Sequence, residues 1–212
     1  MVGLLSRDEL ERMERFCLPV LRRRFAVARG ALRMIVARYV GGDPADVEFS
    51  YEQHGKPYVK DPRSNLQFNL SHSDDLMVIA VCMDQPIGVD IEREDHRFHL
   101  MDVAALCFCE SEKEQVALEG KSSLQAFFQI WTAKEAIMKA TSLGMSLEPS
   151  RVEVGLNPLR LLAINGAEEL SDAKWHLIAL SPREGYSGAL AVAAEPSRIV
   201  YRDFQATLPG DC

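Results

Sequence analysis

The sequence has no run of apolar residues near the roughly 18 that a membrane-crossing helix requires. Its opening, Met1-Val2-Gly3-Leu4-Leu5-Ser6-Arg7-Asp8, lacks the basic and apolar stretches of a secretory leader. Cysteine is scarce and odd in number, at positions 17, 82, 107, 109 and 212, without the spacing of a disulfide framework. Cys82 and Cys107 lie in or beside apolar runs and are expected to be buried thiols. Cys107-x-Cys109 has no second pair at zinc-ligand spacing, which excludes a zinc site there. These absences point to a cytoplasmic protein that does not enter a membrane. Neither Gly-x-x-x-x-Gly-Lys-Ser/Thr nor Gly-x-Gly-x-x-Gly occurs, which excludes the two common Gly-rich phosphate loops. There is no low-complexity segment and no visible repeat, so any two-fold internal organisation is cryptic.

Acidic residues are missing from one long stretch. Between Arg15 and Gly42 there is none, while Arg15, Arg22, Arg23, Arg24, Arg29, Arg33 and Arg38 are all basic. The net charge of −7 argues against a general nucleic-acid binder, so this stretch reads as a local anion site or as a solvated helix face. What remains is ordinary: 212 residues, 47% hydrophobic and 26% charged, suffice for one large domain or two small ones with real cores.

Helix is expected over 8–24, with Pro19 near a start or break, and over 24–40, with Phe25, Leu32, Ile35, Val36 and Tyr39 as its apolar stripe. Arg22, Arg29 and Arg33 fall on another face, where guanidinium groups suit phosphate oxygens. Val47–Tyr51 reads as a strand, and Gly55-Lys56-Pro57 as a turn with one exposed amine. Phe68–Ser73 alternates as a strand ending in a polar corner, Leu76–Cys82 as a buried strand. Two short helices are expected between 99 and 120, the second capped by Ser111-x-x-Glu114, with its acidic residues solvated. The last third reads as strands at 152–154, 175–180, 186–193 and 199–204, with a loose tail from Gln205.

Two segments carry chemistry. In Ile87-Gly88-Val89-Asp90-Ile91-Glu92, strand alternation sends Asp90 and Glu92 to one face, about 6–7 Å apart along the chain. Two such carboxylates repel unless a cation lies between them, and hard oxygens suit Mg²⁺. An exposed strand face is the plainer reading. In the helical run 127–140, Trp131, Glu135 and Lys139 are each four apart and form one row. Glu135 sits on the shoulder of the apolar arc, and Lys134 points oddly into it. A surface i,i+4 pair of Glu135 with Lys139 is the plainer reading here.

Three separated signatures, Asn69-Leu70-Ser71-His72-Ser73, Gly88-Val89-Asp90-Ile91-Glu92 and Trp131-x-x-Lys134-Glu135-Ala136-x-x-Lys139, stand together in this order. With Gly55-Lys56-Pro57 upstream and Phe127-Phe128 before the tryptophan, the chain resembles 4′-phosphopantetheinyl transferases of the surfactin-synthetase-activator type over roughly residues 20 to 150. The resemblance implies an α+β fold of two similar lobes related by a pseudo-two-fold axis, each a small antiparallel sheet on a long helix, at 1–95 and 96–212. It implies transfer of the phosphopantetheine arm of coenzyme A to a serine of an apo acyl or peptidyl carrier protein, with adenosine 3′,5′-bisphosphate released, by a monomer. Asp90, Glu92 and Glu135 would hold Mg²⁺. Glu135, or a water on the metal, would take the serine proton. Lys139 would neutralise the pyrophosphate, and His72, Ser71 and Asn69 would meet the coenzyme A phosphates. Gly55, Lys56 and Pro57 would border the adenine, and Arg29 with Arg24 and Arg22 would hold the 3′-phosphate. One departure stands out: Ser142 occupies a place where family members often carry glycine. The competing readings are another Mg²⁺-dependent phosphoryl or nucleotidyl enzyme, and a non-enzymatic binding module for coenzyme A or a carrier protein.

Overall fold

The computed structural model describes residues 1–61, 63–95, 100–167, 170 and 174–204. It is α+β: five α-helices and nine short strands, among the described residues, in four small sheets, with every registered strand pairing antiparallel. The chain forms two compact units. The first comprises Met1–Phe49, Val59–Ser64 and Ser197–Cys212; the second comprises Ser50–Tyr58 and Asn65–Pro196.

The first unit is built on two helices, α1 (Arg7–Glu14) and α2 (Pro19–Val40). Pro19 is the first residue of α2, where its missing N–H costs nothing, so the helix starts five residues before the expected Arg24. Ser6 and Glu9 close a capping box on α1. Glu9 then does a second job. It is 2% exposed, and its two oxygens accept from Arg29 Nε at 2.9 Å and Arg33 Nε at 2.7 Å. Arg33 is buried, and its Nη1 also donates to the carbonyls of Pro44, Ala45 and Val47. Two of the clustered arginines are therefore neutralised by a carboxylate from outside the basic stretch. Tyr39, expected in the apolar stripe, is 59% exposed; Leu32, Val36 and Ala37 are buried on α2.

Strands β1 (Phe49–Tyr51) and β2 (Pro57–Val59) pair as a hairpin, whose residues Ser50–Tyr58 belong to the second unit. Next, β3 (Leu66–Ser73) pairs with β4 (Leu76–Met83). The expectation of a buried strand fails at β4, which is only half-buried from Leu76 to Cys82 because its one strand partner among the described residues is β3. Two helices follow, α3 (Leu100–Cys107) and α4 (Glu110–Leu118), then α5 (Ser123–Ala140). The cap of α4 is Cys109 with Glu112, not Ser111 with Glu114. Glu112 is fully buried and not solvated, because its oxygens serve the Cys109 and Val154 amides and the Lys134 ammonium. The closing strands are β6 (Val152–Gly155) with β7 (Arg160–Ile164), and β8 (His176–Leu180) with β9 (Tyr186–Val192). β9 also pairs with β5 (Ile87–Arg93), giving the order β5-β9-β8. The strand expected at 199–204 does not form: Ile199, Val200 and Tyr201 have strand propensity but are exposed and have no strand partner among the described residues. β7 was not expected, because Arg160-Leu161-Leu162-Ala163-Ile164 does not alternate. The tail from Gln205 lies outside the described residues.

The core of this unit is α5 against β5, β9 and β6. Ile130, Ala133, Ala136 and Ile137 are sealed with Ala189, Ala191, Val152 and Val154. A Cβ on Gly88 would stand 2.1 Å from the Ala136 carbonyl oxygen and 2.4 Å from the Ala140 nitrogen. Only glycine lets β5 and α5 approach this closely. That approach sets Asp90 and Glu92 beside the exposed row of the helix.

Candidate active site

The residues that line one well-formed recess all belong to the second unit. Leu70, Ser71, His72, Asp90, Glu92, Trp131, Glu135 and Lys139 surround a cavity of about 360 Å³. Most of α5 from Ala126 to Ala140 is buried, as expected of a helix whose apolar arc covers most of its circumference. Trp131, Glu135 and Lys139 are three half-exposed positions spaced by four, and they line the cavity. Lys134, the odd lysine of the arc, points the other way. It is 0% exposed, pairs with Glu112 at 2.8 Å and donates to the carbonyls of Pro149 and Val152. It ties α4, α5 and β6 together and faces no ligand space.

Asp90 is the centre of the recess. It is 3% exposed, and its Oδ1 accepts from Lys139 Nζ at 2.7 Å and from Ser71 Oγ at 2.8 Å. The i,i+4 pair of Lys139 with Glu135 is thus replaced by an ion pair across to β5. Asp90 Oδ2 is buried with no hydrogen-bond partner among the described residues. Glu92 Oε2 accepts from Ser73 Oγ at 2.7 Å. Burial pushes the Glu135 carboxyl above its ordinary value; the charge of Asp90 adds to this and Lys139 opposes it. Glu92 is also raised, first by burial, against the opposing hydrogen bond from Ser73, with Asp90 and Glu135 contributing repulsion. Three carboxylates share the cavity with one ammonium, and one buried oxygen is unmatched. Carboxylates in excess of positive charge repel one another, and hard oxygen donors of this kind could hold Mg²⁺. Among the described residues no three acidic, His or Cys side chains are already closed up as a ligand set. The Lys139 ammonium supplies the positive charge beside Asp90.

The other residues singled out from the sequence divide. His72 is exposed and lines the cavity, next to Ser71. Asn69 is buried and turned to β5, with its Oδ1 accepting from the Val89 amide at 2.9 Å. Lys56 is not an exposed amine. Its Nζ donates to the carbonyls of Ile87 at 3.0 Å and Ala140 at 3.5 Å, and burial lowers its pKa against the attraction of Glu52. It fastens the β1–β2 hairpin to the start of β5 and the end of α5. Gly55 has φ +85°, a turn conformation that suits glycine. Arg24 is exposed, and Arg29 and Arg33 meet on Glu9 in the first unit. Ser142 takes φ +61°, a left-handed conformation that glycine would adopt without strain. Trp131 and Leu70 line the site although neither carries a charge to signal it; the i,i+4 row with Glu135 was the signal for Trp131.

Comparison with known proteins fits this arrangement. Residues 86–193 match a family described as the 4′-phosphopantetheinyl transferase superfamily, and residues 1–84 match one described as the N-terminal part of a 4′-phosphopantetheinyl transferase. The chain is 37% identical over 196 residues to the 4′-phosphopantetheinyl transferase HetI of Nostoc sp., covering 91% of this chain and 80% of that protein. It is 37% identical to a putative 4′-phosphopantetheinyl transferase of Synechocystis sp., over 68% of this chain and 59% of that protein. It is 30% identical to the 4′-phosphopantetheinyl transferase Sfp of Bacillus subtilis, over 72% of each. A solved structure described as a Chronobacterium ammoniagenes ACPS-CoA complex overlaps 51% of this chain and 95% of its own at 19% identity, with a TM-score of 0.38.

Proposed function

The chain belongs to the 4′-phosphopantetheinyl transferase superfamily, and from that premise we propose that it moves the phosphopantetheine arm of coenzyme A onto a serine hydroxyl of an apo carrier protein, releasing adenosine 3′,5′-bisphosphate. The observation that carries the reading is the gathering of Asp90, Glu92, Glu135 and Lys139 around one cavity. In this reading Asp90, Glu92 and Glu135 hold Mg²⁺, which when bound spreads the charge of the pyrophosphate. The unmatched Asp90 oxygen and the excess of carboxylates over ammonium support that assignment.

Each side chain then has a task. Glu135, made more basic by its half-buried place, accepts the serine proton at a carboxylate oxygen. Lys139 balances negative charge on the pyrophosphate oxygens, and His72 donates to a phosphate from the rim. Trp131 walls one side and excludes water. We assign the adenine end to Gly55, Lys56 and Pro57, with Lys56 acting through its hold on the hairpin. Asn69 and Ser71 support the phosphate side by fixing β5, and Arg24 and Arg29 are assigned to the 3′-phosphate. We read 1–95 and 96–212 as the two lobes because, in chain order, a long helix followed by strands occurs twice, α2 before β3–β5 and α5 before β6–β9. A cytoplasmic monomer completes the reading; no helix among the described residues is long and apolar enough to cross a membrane.

The test is release of adenosine 3′,5′-bisphosphate, followed chromatographically, from coenzyme A with an apo carrier protein and Mg²⁺. The 3′-dephospho form of coenzyme A is run in parallel. Release that needs the carrier serine supports transfer, and no release with any carrier overturns it. Arg29→Ala should raise the Michaelis constant for coenzyme A more than for the dephospho form, and equal effects would remove Arg29 from the 3′-phosphate.

A further inference from the structure

β3 and β5 pack side by side, yet among the described residues β5 forms a strand ladder with β9 alone. The β5 amides that face away from β9 therefore have no backbone acceptor, which is costly for buried N–H groups. Side chains of β3 serve them in alternation. Asn69 Oδ1 accepts from the Val89 amide at 2.9 Å, Ser71 Oγ from the Ile91 amide at 3.3 Å, and Ser73 Oγ from the Arg93 amide at 3.0 Å. The period of two on β3 matches the period of two on β5.

The two serines repeat one geometry. A hydroxyl has a single proton and two acceptor positions. With the amide on its acceptor side, Ser71 sends its proton to Asp90 at 2.8 Å, and Ser73 sends its own to Glu92 at 2.7 Å. Each serine thus reads the backbone of β5 and aims the carboxylate one residue earlier. Ser71 also meets Lys139 Nζ at 3.2 Å, so changing it disturbs several groups at once. Ser73 does not line the cavity. Among the described residues its hydroxyl bonds the Arg93 amide and Glu92, so its influence on the site runs through Glu92.

We propose that Ser73 is a positioning residue for Glu92, fixing that carboxylate's orientation into the cavity and thereby setting the site's affinity for a divalent cation. The inference rests on the transferase reading in taking Glu92 as a metal ligand. Hydrogen bonds of this kind to a ligating carboxylate change metal affinity by about 10- to 100-fold when removed.

The test is calorimetric titration of Mn²⁺ into the full chain with coenzyme A present, alongside turnover as a function of Mg²⁺ concentration. Ser73→Ala should weaken Mn²⁺ binding about 10- to 100-fold. Turnover should recover at high Mg²⁺, with the Michaelis constant for coenzyme A unchanged. Ser73→Thr, which keeps the hydroxyl, should restore the affinity. The Arg93 amide is solvent-exposed, so water replaces the lost acceptor and the Ala variant should fold. Were it not to fold, Ser73→Cys, of similar size but a weak donor, is read by the same criterion. Unchanged Mn²⁺ affinity in the variant, or a Thr variant as weak as Ala, overturns the inference while leaving the transferase reading intact. A wild-type protein that neither binds Mn²⁺ nor transfers the arm overturns both.

Discussion

Lys134 and Lys139 sit five residues apart on one helix and do opposite work. Lys134 is sealed with Glu112, and Lys139 leans across a cavity to Asp90. Spacing alone separates them: 139 shares a row with 131 and 135, and 134 does not. Glu135 in that row carries the sharpest residue-scale prediction. Its carboxyl is raised in the folded chain. Below the ordinary carboxylate range both folded and unfolded chains hold the proton, and no stability is at stake. As pH rises the unfolded chain ionises first, so stability is lost between the ordinary carboxylate value and the raised folded one. Glu135→Gln, nearly isosteric, should therefore melt higher than wild type at pH 8 without metal, match it near pH 4, and lose turnover. Thermal melts at the two pH values and a turnover assay check this. A variant with near-normal turnover would remove Glu135 from the chemistry, and equal melts at pH 8 would contradict its burial as a charged group. Ser142 is a residue-scale departure that the sequence flagged and the structure explains: serine adopts the backbone that glycine would favour, beyond the end of α5.

At the scale of elements, the site depends on how closely one strand meets one helix. Gly88 sets that distance. Gly88→Ala puts a methyl group against the backbone of Ala136 and Ala140, which cannot yield as a flexible side chain would. Overpacking of this kind costs about 3 kcal/mol, and the melting point should fall by roughly 6–12 °C. Asp90 and Glu92 would also move away from Glu135, so transfer should fall more than stability. Melting and turnover of the Ala variant within 2 °C and twofold of wild type, roughly the noise of each assay, would show that the contact does not govern the site. Strand β5 and helix α5 were legible because period two and period four each left polar residues on one side. The start of α2 and the cap of α4 were not. Pro19 serves equally as a break or as a first residue, and Cys109 is a weak capping residue beside a stronger-looking Ser111. β7 and the failed strand at 199–204 show propensity giving way to the availability of a partner edge.

For the whole molecule, the two lines of reading meet differently in the two units. The acidic trio and Lys139 gather in the second unit, as the family resemblance implied; spacing alone had paired only Asp90 with Glu92 and Glu135 with Lys139. The arginine-rich stretch reads differently once Glu9 is counted. Arg29 and Arg33 lie 20 and 24 positions along the chain from the Glu9 that neutralises them, so no local window of sequence could pair them. The same holds for Glu112 with Lys134 and for Ser73 with Glu92, contacts made only after the chain folds back. The chemistry-bearing residues were legible because they are polar where a buried face should be apolar; their supporting partners were not, because a serine or glutamate on its own element looks solvated.

The most direct test of the account is the intact mass of a panel of apo carrier proteins after incubation with this protein, coenzyme A and Mg²⁺. The account predicts a gain of one phosphopantetheine arm on at least one carrier. That gain should vanish with EDTA, with Asp90→Asn, and when the carrier's acceptor serine is replaced. No gain on any carrier, or a gain that persists after the metal is removed, would contradict it.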